Sequence, residues 1–345
     1  MAGSVRLARD RADPGLGSGP DLARNGRQQP GARRAQAALR HRMEIVLGLV
    51  ALLVVLPFVA EALRQRPEPA HAPGQFADLP LGRTHYRWSG PETAPIAVCI
   101  HGLSTPSYVF AATESALSTL GYRVLTYDLY GRGFSANPPA AQGARFFNLQ
   151  LDALLADQRV EGRVTLVGYS MGGAIAAAFA AASPDRVRAL VLIAPAGLEP
   201  VYDDWIGRLW TLPVLGDWAT RVLGGIALRR ELVEHRTSAT VLPDLEDRQA
   251  RETRRRGYLP AILSSRRNML RESRSTDHRT IARAGIPVLA IWGTDDPVIP
   301  LKTMGRLAEL NPDAHHRQVA GAGHLVLQSH PAQVSDALRR FLKPR

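Results

Sequence analysis

The sequence predicts an α/β domain, a doubly wound and mostly parallel sheet with a helical insertion, preceded by a single membrane-crossing helix. Three observations carry this reading. From residue 81 onward, short runs rich in Val, Ile and Leu alternate with helical patterns, and runs apolar at every position suit strands buried on both faces of a parallel sheet. Residues 197–283 break that rhythm with a helical, arginine-rich stretch that holds three of the five tryptophans. Residues 43–63 are apolar throughout, with Glu44 and Glu61 only near the ends.

The strand patterns are residues 95–100 (PIAVCI), 122–127 (YRVLTY), 164–169 (VTLVGY), 187–193 (VRALVLI) and 286–292 (IPVLAIW), with a short one at 316–320. Helical patterns fall at 108–120, 146–157, 171–182, 301–310 and 331–342. This β-α alternation argues for helices on both faces of one sheet. An insertion such as 197–283 is expected to form a lid over the sheet's carboxyl edge. Within it, Trp205, Trp210 and Trp218, with Leu209, Leu212 and Leu215, are read as packing the lid on the core or lining an acyl pocket.

About 20 residues at ~1.5 Å each cross a hydrocarbon core, so 43–63 is read as a transmembrane helix or signal anchor. Residues 1–42 hold nine arginines against three aspartates without apolar periodicity, and are read as a disordered cytoplasmic tail. The arginine excess before the apolar run puts the N-terminus in the cytoplasm and the C-terminal domain on the outer side. A cleaved signal is the alternative: Ala60-Glu61-Ala62 is an A-x-A pattern and Met43 could be the start. Both readings export the domain. Residues 64–80 read as a linker, and 81–345 as the domain.

The net charge of +12 over 345 residues could suggest nucleic acid, but half of that excess lies in the first 42 residues, where it is a topology signal. A nucleic-acid partner is therefore not expected. A single cysteine, Cys99, excludes a disulfide framework and multi-cysteine metal sites, and its place in a strand pattern makes it a buried small hydrophobe. No His/Asp/Glu grouping has metal spacing, so neither metal nor cofactor is expected. The arginines around 251–256 and 266–274 are read as a solvated helix face, the alternative being contact with anionic lipid headgroups.

Gly168-Tyr169-Ser170-Met171-Gly172 follows a strand pattern and opens an alanine-rich helical one. A G-x-S-x-G turn reverses so sharply that side chains two before and two after the serine would collide, and it holds the serine strained with its hydroxyl exposed. A serine needs a histidine base, itself oriented by a carboxylate. Asp295 and Asp296 follow the strand at 286–292, and His324 lies in Gly321-Ala322-Gly323-His324 before the last helix. The chain order is Ser170, Asp295 or Asp296, then His324.

With this order the domain resembles the α/β-hydrolase fold, in the lidded subgroup of serine esterases, lipases and carbon-carbon bond hydrolases. His101-Gly102 after the first strand looks like that family's oxyanion-loop motif, and Asp128-Leu129-Tyr130-Gly131-Arg132-Gly133-Phe134-Ser135 matches its D-x-x-G-x-G-x-S turn. The resemblance implies Ser170 as nucleophile, His324 as general base and acid, and Asp296 as orienting carboxylate. It implies an oxyanion hole from the N–H groups of Leu103 and Met171, and a structural role for His101. Leu103-Ser104-Thr105-Pro106 and Ser329 depart from common family residues. The expected activity is hydrolysis of a carboxylic ester through an acyl-enzyme, on a small, acyl or lipid-like substrate. The alternatives are carbon-carbon hydrolysis of a meta-cleavage product and a non-catalytic binding protein. Elbow serine rather than aspartate disfavours epoxide hydrolases and dehalogenases.

Overall fold

The computed structural model describes residues 30–66, 72–201, 205–234, 240–242 and 244–343. The chain divides between Val54 and Val55 into two units. Helix α1 (Pro30–Ala62) is 33 residues long and passes from the first unit into the second. Its apolar span is almost wholly exposed, and it is long and apolar enough to cross a membrane. It starts well before the apolar run, inside the tail expected to be disordered. Residues 30–42 are rich in Ala and Arg, both strong helix formers, and Pro30 suits a first turn. The rest of that tail, residues 1–29, lies outside the described residues.

The second unit is built on an eight-stranded sheet in the order β1-β2-β4-β3-β5-β6-β7-β8. Strands β3 (Ile96–Ile100), β4 (Arg123–Tyr127), β5 (Val164–Tyr169), β6 (Val187–Ile193), β7 (Val288–Gly293) and β8 (His315–Val319) run parallel. Along each inner strand successive side chains enter two different cores. Val98 and Ile100 face one while Ala97 and Cys99 face the other, and in β7 Ala290 and Trp292 alternate with Leu289 and Ile291. Burial on both faces is why these strands read as unbroken apolar runs.

Strands β1 (Gln75–Leu79) and β2 (Gly82–Ser89) add an antiparallel edge, β2 pairing with β4. Sequence reasoning missed both, placing β1 in the linker. They carry Asp78, Arg83 and Arg87 among their apolar residues because β1 is the sheet's edge strand and β2, beside it, is buried only over Thr84, His85 and Tyr86. The remainder of that linker is not a free connection either. Gln65 bridges Arg255, Arg64 donates to the carbonyls of Thr253 and Arg221, and Glu61 accepts from the Gly257 N–H. Residues 67–71 lie outside the described residues.

Helices α2 (Ala111–Thr119) and α12 (Pro331–Leu342) cover one face of the sheet through Leu117, Val334 and Leu338. On the other face lie α3 (Ala144–Asp157), α4 (Met171–Ala182), α9 (Ser275–Arg283) and α10 (Lys302–Leu310). The lid comprises α5 (Trp205–Thr211), α6 (Leu215–Glu234), α7 (Leu245–Arg254) and α8 (Tyr258–Arg267). It is shorter than expected: α9 packs on α4 and sends Ile281 into the core, so it belongs to the sheet's helical layer. Residues 202–204, 235–239 and 243 of the insertion lie outside the described residues.

Candidate active site

Ser170 stands at the tip of the turn joining β5 to α4, with φ +54° and ψ −119°. A non-glycine residue there costs about 1–3 kcal/mol and persists only where its surroundings over-determine it. Here they do. The Ser170 N–H donates to the Ile193 carbonyl at 2.9 Å, and its own carbonyl accepts from Gly173 at 2.9 Å and Ala196 at 3.1 Å. The flanking glycines answer to space: a Cβ on Gly172 would stand 2.0 Å from the Ile100 carbonyl oxygen, and one on Gly168 would stand 2.4 Å from that of Gly172.

The turn aims the Ser170 hydroxyl at His324, Oγ to Nε2 being 2.9 Å. On the other side of the ring Nδ1 is 2.8 Å from Asp296 Oδ2. An ionised carboxylate accepts, so Nδ1 carries the proton and Nε2 presents a lone pair to the serine O–H. Asp296 follows β7 and is fixed by the N–H groups of Val298 and Ile299, both 2.8 Å from Oδ1. Asp296 is buried, whereas Asp295 is exposed and holds only Thr294. The carboxylate that faces His324 is thus Asp296, the one that the resemblance implies. His324 sits after β8, and the Tyr169 hydroxyl donates to its carbonyl at 2.9 Å.

Leu103 lines the cleft above Ser170, and Met171 opens α4 directly after it. Among the described residues, neither N–H is taken up by a backbone carbonyl. The three lid tryptophans are not brought to this place: none lines the cleft at Ser170, and Trp205 is 75% exposed. The short α5 turns that ring outward, while Trp210 and Trp218 are half-buried. The lid contributes Glu231 to the cleft wall, the one carboxylate there among the described residues, paired to Arg266 at 2.7 Å.

Beneath the cleft lies a buried frame that the motif reading saw only as a pattern. Asp128 Oδ1 accepts from the Ser107 N–H at 2.9 Å, and Oδ2 from His85 at 2.8 Å and the Phe134 N–H at 3.0 Å. These partners hold its carboxyl well below the usual range against burial, which acts the other way. A Cβ on Gly133 would strike that carboxylate, at 2.0 Å from Oδ2, so the turn needs glycine there. Arg132, fully buried, binds the carbonyls of Leu103 at 3.1 Å and Tyr130 at 2.9 Å and the Ser265 hydroxyl at 2.7 Å, joining oxyanion-loop backbone, turn and lid. His101 donates from Nδ1 to the Gly102 carbonyl at 2.8 Å and accepts the Leu129 N–H at Nε2, 2.9 Å. Burial pulls its pKa down to about 4, and the accepted N–H requires the neutral ring.

A family model described as the alpha/beta hydrolase fold matches residues 95–331. The chain belongs to the alpha/beta hydrolase family. It is 27% identical over 270 residues to the 2-hydroxy-6-oxononadienedioate/2-hydroxy-6-oxononatrienedioate hydrolase of Burkholderia vietnamiensis, a match spanning 76% of this chain and 91% of that one. It is 28% identical over 250 residues to the pimeloyl-[acyl-carrier protein] methyl ester esterase of Xanthomonas axonopodis pv. citri, spanning 72% and 95%. A solved membrane phospholipase A, described as a bacterial virulence factor, has a TM-score of 0.65 at 21% identity, covering 90% of this chain and 98% of that one. As a member of this family, with hydrolases among its relatives, the chain is a hydrolase.

Proposed function

We propose that this hydrolase cleaves a carboxylic ester through an acyl-enzyme, with Ser170, His324 and Asp296 as its catalytic triad. The observation that carries the reading is the continuous relay from Ser170 Oγ through His324 to Asp296, at 2.9 and 2.8 Å, on a nucleophile held at positive φ. Ser170 Oγ attacks the ester carbonyl while its proton passes to His324 Nε2. Asp296 keeps the ring in the tautomer that accepts this proton and stabilises the imidazolium that forms. The Leu103 and Met171 N–H groups receive the oxyanion. The tetrahedral species collapses as His324 returns the proton to the departing alkoxide. Water then attacks the acyl-serine, giving its proton to His324, and the acid and free Ser170 are released.

Relatives named as hydrolases of dienoates keep a second reading in view, cleavage of a carbon-carbon bond. Their names describe carboxylate substrates. The match to a methyl ester esterase, spanning 72% of this chain and 95% of that one, supports the ester reading. The buried relay likewise speaks against a protein that only binds ligands.

Helix α1 supports retention at a membrane through residues 43–63, with the N-terminus cytoplasmic and the hydrolase unit on the outer side. Labelling by a fluorophosphonate, followed by a screen of p-nitrophenyl esters from C2 to C16, tests the chemistry. Failure of Ser170 to label removes the serine-hydrolase reading, and labelling without hydrolysis of any ester moves it to the carbon-carbon alternative. An alkaline phosphatase fused at the C-terminus should be active if the domain is exported.

A further inference from the structure

A cavity of about 340 Å³ lies beside the catalytic cleft and shares none of its lining residues. That volume is at the lower end of those that hold small ligands. Among the described residues, five arginines and two carboxylates, Asp128 and Glu252, line it. Asp128 is spent on His85, Ser107 and Phe134. Two of the arginines are engaged outside the cavity wall, Arg87 with Glu114 at 2.7 Å and Arg248 with Asp244 at 2.8 Å. That leaves Arg66, Arg251 and Arg255 against Glu252.

Arg255 is the telling member. It is 7% exposed and gives one donor to the Ser135 carbonyl, yet its Nε and Nη1 make no hydrogen bond, and Glu252 Oε2 stands 3.8 Å from Nη1. The Tyr108 hydroxyl, in the same wall, is also buried without a hydrogen-bond partner. A buried guanidinium with unspent donors is costly. Water can supply acceptor atoms there, but it brings no countercharge. Glu252 answers the charge weakly, because burial pushes its carboxyl up to about 7 and its Oε2 is already taken by the Gly133 N–H at 3.0 Å.

We propose that this cavity is a binding site for a phosphate group, with Arg255 and Tyr108 as its buried donors and Arg251 and Arg66 at its mouth. Donors offered by several side chains of one wall suit a tetrahedral oxyanion, with acceptors on every side, better than a planar carboxylate. The group can come from free phosphate or from a phospholipid headgroup. Arg66 lies four residues beyond the end of α1, at most about 14 Å of extended chain. If α1 is the membrane anchor, as read above, this chain length keeps Arg66 within reach of lipid headgroups.

Isothermal titration calorimetry on the full chain in neutral detergent tests this without recourse to activity. The probes are inorganic phosphate, a dihexanoyl phosphatidylglycerol below its micellar concentration, and acetate at matched ionic strength. Saturable one-to-one binding of a phosphate probe is expected, weakened tenfold or more in Arg255→Gln and in Arg251→Gln. Arg251 is exposed, so its variant keeps the test intact should Arg255→Gln fail to fold. Tighter binding of the lipid identifies a headgroup site, and equal or tighter binding of inorganic phosphate a free-phosphate site. No saturable binding of either, acetate binding as tightly as phosphate, or unchanged affinity in both Arg251→Gln and Tyr108→Phe overturns the proposal.

Discussion

The sheet and the lid meet at Ser170 but are built by opposite rules. On the sheet side every group of the relay hangs from the end of a parallel strand and is held there: the Ser170 backbone by Ile193 and Ala196, the Asp296 carboxylate by the N–H groups of Val298 and Ile299, the His324 carbonyl by Tyr169. On the lid side, α5 and α6 expose Trp205, Leu209, Leu212 and Leu215, and Arg267 and Arg221 share the single carboxylate of Asp217. The sheet allows one arrangement of the reacting atoms. The lid, with fewer buried apolar contacts, is the part where substrate preference can be altered without disturbing that arrangement.

The contrast can be broken at several points. Ser170→Ala should abolish the proposed esterase activity, by about 10⁴-fold or more in kcat, while the melting temperature holds or rises as the strained serine's packing is retained. A variant that keeps measurable turnover would move the nucleophile elsewhere. Gly172→Ala should cost several kcal/mol or prevent folding, because its Cβ would meet the Ile100 carbonyl oxygen at 2.0 Å. Circular dichroism melts read that loss directly.

Acid should loosen the same frame. His101 and His278 are pulled down to about 4 by burial, so the unfolded chain binds protons that the folded chain refuses between about 4 and the ordinary value of 6.5. Stability is then lost as pH falls through that window. Glu252 acts in the opposite sense: with its carboxyl near 7, the folded state takes up its proton first and gains as pH falls from 7 towards 4.5. The net decline should be on the order of a few kcal/mol. It should be steeper in Glu252→Gln, as urea midpoints at pH 6.5, 5.5 and 4.5 would record.

Lid substitutions should act more gently. Glu231→Gln should raise kcat/KM for a carboxylate-bearing ester relative to a neutral one by about tenfold, with little change for the neutral ester. Equal effects on both would remove Glu231 from substrate selection. Gly225 lies inside α6, and a Cβ there meets Thr253 only at an ordinary 3.6 Å. Gly225→Ala should therefore stabilise by about 0.5–1 kcal/mol, the reverse of the same exchange at Gly172.

The legibility of the molecule follows the same division. Strands β5 and β6 and helices α4 and α12 end where their patterns end: the first three because burial makes them nearly unbroken apolar runs, α12 because Pro331 opens it and Val334, Ala337 and Leu338 recur at helical spacing. Ser170, His324 and one of two adjacent aspartates were readable because each sits in a turn whose glycines or strand end are local facts. Which aspartate faces the histidine is not local, and it took the N–H groups of Val298 and Ile299 to show it. Strands β1 and β2 were hidden by their half-exposed, charged pattern. An aromatic ring in a lid carries no mark of the side it faces, and Glu231 was one acid in a helix with charges around it. The start of α1 was obscured by arginines that are good helix formers and also the mark of a cytoplasmic tail.

One loop borders two spaces. Residues 103–105 form part of the wall over Ser170, and residues 106–108 form part of the wall of the arginine-lined cavity. They are clamped at one end by Arg132 on the Leu103 carbonyl and at the other by Asp128 on the Ser107 N–H. Thermodynamic linkage then runs both ways through this loop. Whatever factor an occupant of the cavity applies to acylation equilibrium at Ser170, the acylated serine must apply to that occupant's affinity. An enzyme arrested as a stable phosphonyl adduct would hold its second ligand with a measurably different dissociation constant, and the ratio would report how stiff six residues of backbone are.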